Sequence, residues 1–258
     1  MMKQVMRLAI LAVMGITMMS CNSVHISGNN GVDKTPTQVQ GINQVTTMSP
    51  FDEVEIAGGF KIVYEQGPEH SVRIEASEQA FKEMTVYVKD RELRIRKSVS
   101  KPTESQKNVK VYVTSPVLKM IDLAGSGMFA AANPINVDND LDIDIAGSGQ
   151  ALLAALTCHD SDLDIAGSGN IEVGQYKVNS VTADIAGSGD INLGALVCNN
   201  MDIDIAGSGN VNCDNINADG VQIEIAGSGN VNLKGKVQHV EKDIAGSGKV
   251  NIIEAPVQ

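Results

Sequence analysis

The heptapeptide DIAGSGN occupies Asp164–Asn170, and the same seven letters return at Asp204–Asn210. Near-copies begin at Asp122, Asp144, Asp184, Glu224 and Asp243. The Ala-Gly-Ser-Gly units start at Ala124, Ala146, Ala166, Ala186, Ala206, Ala226 and Ala245, with steps of 22, 20, 20, 20, 20 and 19 residues. A period of about 20 residues marks a solenoid. The spaced leucines and asparagine ladder of leucine-rich repeats are absent, and no repeat sustains a 3.6-residue period, so helical solenoids are excluded as well. What remains is an all-β chain with two or three short strands per coil, a parallel β-helix.

Reading down the columns supports this. The residues before the alanine are Leu123, Ile145, Ile165, Ile185, Ile205, Ile225 and Ile244. Two places earlier stand Ile121, Ile143, Leu163, Ala183, Ile203 and Ile223, with Lys242 as the exception. After the Gly-Ser-Gly come Phe129, Ala151, Ile171, Ile191, Val211, Val231 and Val250, then Ala131, Leu153, Val173, Leu193, Cys213, Leu233 and Ile252. A third face gives Cys158, Val178, Cys198 and Ala218. Alternation with polar residues is the pattern of strands with one buried face.

The corner explains the repetition of the heptapeptide. Stacking sets each coil about 4.8 Å above the last, so every coil meets the same bend and solves it in the same way. Glycine supplies positive φ without steric cost. The expected corner positions are Gly147, Gly149, Gly167, Gly169, Gly187, Gly189, Gly207, Gly209, Gly227 and Gly229.

Asp122, Asp144, Asp164, Asp184, Asp204, Glu224 and Asp243 alternate with the buried column and therefore point outward. Like charges at this spacing repel by roughly 1 kcal/mol per pair even in water. We expect each carboxylate to accept a hydrogen bond from a backbone N–H or serine hydroxyl at the corner. The alternative is a cation stripe along Asp144, Asp164, Asp184, Asp204 and Glu224, although calcium asks for six to eight oxygens and a single file supplies few. Asn170, Asn210 and Asn230, with Asn192, Asn212, Asn232 and Asn251, also face outward, either as stacked amides or as a polar carbohydrate-binding face.

Upstream, Phe51–Ile56, Lys61–Tyr64, Ser71–Ala76 and Val109–Thr114 read as strands. Thr85–Lys89 and Glu92–Arg96 form a hairpin around Asp90-Arg91. Ser77–Met84 reads as a short helix with Ser77 as N-cap and Ala80, Phe81 and Met84 on one face. These N-terminal strands and the hairpin are expected to cover one end of the solenoid, whose edge would otherwise be unpaired.

At the N-terminus, Lys3 and Arg7 precede a twelve-residue, mostly apolar run, Leu8–Met19, too short to span a bilayer. Ser20-Cys21 follows, a small residue before cysteine. The pattern is similar to a bacterial lipoprotein signal over residues 1–20, with Cys21 as the lipid attachment; an ordinary cleaved signal is the alternative. Residues 21–44 read as a flexible tether rich in Ser, Asn, Gly and Thr. Residues 45–258 form the domain, with strands, hairpin and helix over 45–121 and repeats over 122–258. Losing Lys3 and Arg7 takes the net charge from −11 to −13. That charge excludes nucleic acid as a partner and leaves the lipid as the only expected membrane attachment. Cys158, Cys198 and Cys213 fall at interior positions and read as small buried residues, with a Cys198–Cys213 bridge as the alternative.

Familiar chemistry is missing. Gly246-Ser247-Gly248-Lys249 lacks the first glycine and the hydroxyl residue of a phosphate loop, and no helix follows these glycines. His25, His70, His159 and His239 show no metal-ligand spacing, so no metal or cofactor is expected. Carboxylates are abundant, as in polysaccharide-cleaving β-helices, but no coil breaks the pattern to form a cleft, and the chain has no Trp and only four Tyr and four Phe.

The run FDEVEIAGGFKIVYEQGPEHSVRIEASEQAFKEMTVYVKDRELRI, together with AGSGNVN and AGSGDIN downstream, resembles the head GIN-domain family of autotransporter adhesins, exported proteins of Bacteroidetes. The resemblance spans roughly residues 45–252. It implies a right-handed parallel β-helix and an adhesin role, and it carries no catalytic residues. No translocating barrel is read in residues 1–258, so an autotransporter mechanism is not expected. Asn22-Ser23 after Cys21 lacks the acidic cluster that resembles a surface-export signal, so an outer-membrane lipoprotein facing either the periplasm or the cell surface is expected. The functional expectation is a non-enzymatic adhesion or scaffold module for an unknown protein or glycan ligand. The alternatives are a periplasmic envelope sensor or structural lipoprotein and, less favoured, a polysaccharide-cleaving enzyme.

Overall fold

The computed structural model describes residues 38–101 and 108–254. The expected signal, Cys21, His25 and the tether as far as residue 37 lie outside them. The strands in chain order are β1 (Val45–Thr47), β2 (Glu53–Gly58), β3 (Lys61–Gln66), β4 (Ser71–Glu75), then helix α1 (Glu78–Lys82), β5 (Met84–Lys89), β6 (Glu92–Lys97) and β7 (Lys110–Ser115). The repeats add β8 (Met120–Gly125), β9 (Met128–Ala131), β10 (Ile135–Asn136), β11 (Asp142–Gly147), β12 (Gln150–Thr157), β13 (Asp160–Gly167), β14 (Asn170–Lys177) and β15 (Ser180–Gly187). Three long strands that run from corner to corner, β16 (Asp190–Gly207), β17 (Asn210–Gly227) and β18 (Asn230–Gly246), lead to β19 (Lys249–Glu254).

The repeats form a parallel β-solenoid of about seven turns with about 20 residues per coil. Identical residues pair: Ile165 lies opposite Ile145 and Ile185, and Ile185 opposite Ile205. On the side before each corner, the rungs β8, β11, β13, β15 and the second halves of β16, β17 and β18 stack in parallel. The other side stacks β9, β12, β14, the first halves of β16, β17 and β18, and β19. The apolar columns fill the hollow, and Ile143, Leu163, Ile203 and Ile223 are wholly buried. Cys158, Cys198 and Cys213 are buried, free thiols, and burial pushes them up to about 12, 12 and 11.

Two further columns line the interior. Leu156, Tyr176, Leu196 and Ile216 form one, out of phase with the strand before it, and Leu141, Ser161, Val181, Met201 and Val221 the other, two places before Ile143, Leu163, Ala183, Ile203 and Ile223 and in step with them. The strand alternation breaks after Leu153 and Val173, where the chain bends and the next inward residue comes three places on. Gly194 sits in that bend, and a Cβ there would fall 2.3 Å from the Gly174 carbonyl oxygen.

The stack begins before the first Ala-Gly-Ser-Gly. β2 lies parallel to β8 with Glu55 opposite Asp122, and β3 lies parallel to β9. Ala57-Gly58-Gly59 therefore makes an earlier corner without the serine. β6 and β7 add one more rung, and the antiparallel strands β5 and β4 cover the end. The helix spans Glu78–Lys82, with the Ser77 hydroxyl accepting from Ala80 N; Met84 instead opens β5. The hairpin turns through Asp90 and Arg91 at φ 55° and 65°, the pair of positive values a type I′ turn requires. Asp52, 4% exposed, fastens this end. It accepts from Arg91 Nε and a terminal guanidinium nitrogen at 3.2 Å each and pairs with Lys119 Nζ at 3.0 Å. Burial alone would raise its pKa; Arg91 and Lys119 overcome that and hold it below the usual range.

Residues 38–44 correct the end of the expected tether. Val39 is buried and donates to the Val86 carbonyl, and Asn43 N donates to Ile74 O. Two apolar side chains among polar ones, Val39 and the partly buried Ile42, dock this stretch on the core. At the opposite end of the described residues, Ile244, Ile252 and Ile253 are exposed. Lys242 takes the position opposite Ile223 there. An inward charge of this kind opposes the addition of another strand.

Candidate functional site

The corners place two different outward surfaces on either side of each turn. In each Gly-Ser-Gly only the first glycine has positive φ, for example Gly187 and Gly207 at 137°. A Cβ at Gly207 would stand 2.2 Å from the Gly187 carbonyl oxygen, the atom that accepts from Ser208 N at 2.8 Å. The second glycine answers a different need: a Cβ at Gly209 would meet Ile185 Cγ2 at 2.5 Å. Bend geometry and close stacking thus each claim one glycine, and the exposed serine lies between them.

After the corner the surface is an amide ladder. Asn210 donates to Asp190 at 2.7 Å and Asn230 to Asn210 at 2.9 Å. Beside them Asn192 donates to Asn170, Asn212 to Asn192, Asn232 to Asn212 and Asn251 to Asn232, at 2.8–2.9 Å. An amide carries both donor and acceptor, so a translated copy satisfies the one below it.

Before the corner the surface is acidic. Glu55, Asp122, Asp144, Asp164, Asp184, Asp204, Glu224 and Asp243 stand in one register. Two residues earlier on the same strands, Asp142, Asp162, Asp202 and Glu241 make a second column, interrupted by Thr182 and Gln222. Single-file reading of the heptapeptide missed this second column, though its alternation with apolar residues was visible in the letters.

The expected hydrogen bonds from the corner to these carboxylates are absent among the described residues. No group donates to Asp122, Asp144, Asp164, Asp184 or Asp204, and Asp184 Oδ1 and Asp204 Oδ1 are shielded from solvent without a partner. The reason is geometric: backbone N–H groups along these strands are consumed by the rung below, and the serine sits exposed beyond the bend. Burial and mutual repulsion instead favour the protonated form. Burial, then the neighbouring carboxylates, raise Asp144 and Asp184 to about 7 and Asp164 to about 6. Asp204 is also raised, by burial and then by Asp202 and Glu224. At the covered end the ladder meets cations: Glu55 pairs with Arg96 and lies 3.7 Å from Arg94.

Such a face can hold protons, ammonium groups or divalent cations between rungs. Of the expected stripe, Asp144, Asp164, Asp184 and Asp204 are partly buried, and Glu224 is exposed. His70 packs edge-on against Phe51 and accepts from its backbone N–H, and His239 stands exposed beside Glu241.

A family model described as "Putative auto-transporter adhesin, head GIN domain" matches residues 50–213 and 205–258. Among solved structures, the chain is similar to a "putative adhesin" from Bacteroides fragilis NCTC 9343, with 23% identity over 81% of this chain and 95% of that one and a TM-score of 0.75. A "putative adhesin" from Parabacteroides merdae ATCC 43184 gives 24% identity, 81% and 95% coverage and a TM-score of 0.67. Both likenesses are of fold. A "putative lipid binding protein" from Parabacteroides distasonis ATCC 8503 gives 25% identity, 86% and 98% coverage and a TM-score of 0.62. No curated protein matches the chain.

Proposed function

The chain belongs to the head GIN domain family of auto-transporter adhesins, and from that membership we propose that it is a non-enzymatic, adhesin-like module of the cell envelope. Its outer faces bind a repetitive protein or glycan ligand, and an acyl group on Cys21 anchors it to the outer membrane. The observation that carries this reading is the register of the outward groups. Each coil presents the same carboxylates or amides one strand spacing above the last, so a polymeric partner meets many equal sites. Linked weak contacts of this kind raise avidity by orders of magnitude without a deep pocket. The two acidic columns favour a partner that carries amines or basic side chains. The non-enzymatic part rests on the adhesin family and on the regularity of the acidic ladder, whose carboxylates repeat in one register from rung to rung.

A glycan and protein array probed with residues 38–258 tests the binding. We expect retention on repetitive ligands that falls with added salt; equal signals on all spots would end this reading. The second reading, an envelope sensor or structural lipoprotein facing the periplasm, is favoured by the titration of the acidic ladder near neutral pH. Protease shaving of intact cells separates the two, because a surface module is lost and a periplasmic one is protected. Replacing Cys21 with serine releases the protein from the membrane fraction if the lipid is its anchor.

A further inference from the structure

Three side chains converge at the bend that returns the chain from the amide side to the acidic side, two residues before Asp142 and Asp162 of the second acidic column. His159 Nδ1 lies 3.3 Å from Asp140 Oδ1 and 3.1 Å from Asp160 Oδ2. The three donor atoms lie within 4.8 Å of one another. We propose that Asp140, His159 and Asp160 form a binding site for a divalent transition-metal ion of the zinc type, with water or a partner's donor group in the remaining coordination positions.

The spacing fits. A tetrahedral ion with bonds of about 2.0–2.1 Å to imidazole nitrogen and carboxylate oxygen holds its ligands roughly 3.3 Å apart. The ligands are also held from behind. Asp160 Oδ1 accepts from Asn179 Nδ2 at 2.9 Å and Ser180 N at 3.0 Å, which leaves Oδ2 facing the histidine. Asn179 is in turn oriented by Asn199 Nδ2 at 2.7 Å, and Asp140 Oδ1 accepts from Asp160 N at 3.2 Å. Outer partners of this kind fix the direction of metal ligands.

The donor set selects the ion. One imidazole with two carboxylates suits zinc, nickel or copper, whereas calcium and magnesium prefer oxygen alone. The coil is singular in the stack. The column that carries His159 has Asn139, Asn179 and Asn199 on neighbouring coils, and the column that carries Asp160 has Ser180, Asn200 and Gly220. His239 has only Glu241 beside it. His159 is 63% exposed and Asp160 40%, so an ion can enter and a ligand group can reach it.

Isothermal titration of the full chain with zinc chloride at pH 7.5, in a 100-fold excess of calcium, tests the site. We expect one zinc per chain. His159→Ala should weaken binding by more than about 30-fold, Asn179→Ala by roughly 10-fold, and His239→Ala should leave it unchanged. Because the His159 side chain is exposed, His159→Ala in chelator should melt as the parent does. Copper(II) loaded in place of zinc should show a single nitrogen ligand in its paramagnetic resonance spectrum. Equal zinc binding by the parent and His159→Ala, loss of binding to excess calcium, or no zinc uptake by the parent would overturn the proposal.

Discussion

The two sides of each corner are built by one repeat and obey one register, yet they end in opposite chemical states. On one side Asn192, Asn212, Asn232 and Asn251 close a chain of hydrogen bonds. On the other, Asp144, Asp164, Asp184 and Asp204 stand equally aligned, and none of them receives a donor among the described residues. Translation by one rung is the cause. A group with donor and acceptor is complementary to its own copy, whereas a carboxylate is repelled by its copy. On the first side the amides satisfy one another along the stack. The second keeps unsatisfied capacity for protons or cations, which is where a ligand gains most.

The largest disturbance should come from the corner that both sides share. Gly207→Val adds strain at φ 137° and a clash with the Gly187 carbonyl. We expect a loss above about 4 kcal/mol, read as a fall in Tm of more than roughly 10 °C. An unchanged Tm would refute the corner assignment. Next is Asn212→Asp, which removes the donor to Asn192 Oδ1 and places a charge inside the ladder. A cost of about 1–3 kcal/mol at pH 8 is expected, shrinking in acid as the new carboxyl regains a proton to donate.

Asp184→Asn is the reciprocal exchange and should stabilise. Folding raises Asp144 and Asp184 to about 7 and Asp164 to about 6. The folded state therefore takes up protons between about pH 4 and 7. This contribution to stability is fully present below about pH 4 and is lost as pH rises through 6 and 7. Melting temperature should then be higher at pH 5 than at pH 8. Asp184→Asn should gain about 1 kcal/mol at pH 8, discounted for partial solvent screening, and little at pH 4.5. A flat profile in the parent would mean the ladder is already neutralised by other means. The smallest effect should be a rise of a degree or two in Tm on adding millimolar calcium at pH 8, vanishing at pH 5 as protons displace the ion. No shift at either pH would remove cations from the roles of this face.

Much of this was legible in the letters because period-two alternation and exact repetition report the same physics. Ile165, Ile185 and Ile205 had to stack, and Gly187 and Gly207 had to turn. The reading faltered where the chain changes parity. After Leu153 the next inward residue is Leu156, so the Leu156, Tyr176, Leu196 and Ile216 column fell out of phase with strand alternation. The early rungs were obscured for a different reason: Ala57-Gly58-Gly59 lacks the serine that marks every later corner. The constellation of Asp140, His159 and Asp160 was invisible as a spacing, because a solenoid converts 19 or 20 residues of sequence into one rung of height.

The sequence by itself determined the coil length, the corner residues and the columns that fill the hollow, since those depend on local backbone preference and on burial repeated at a fixed interval. Tertiary structure alone decided which outward groups satisfy one another, which carboxylates are pushed toward neutral pH and which side chains from successive coils meet at the outer bend. Those outcomes depend on distances between coils and on what each group's neighbours consume, and no single coil contains that information.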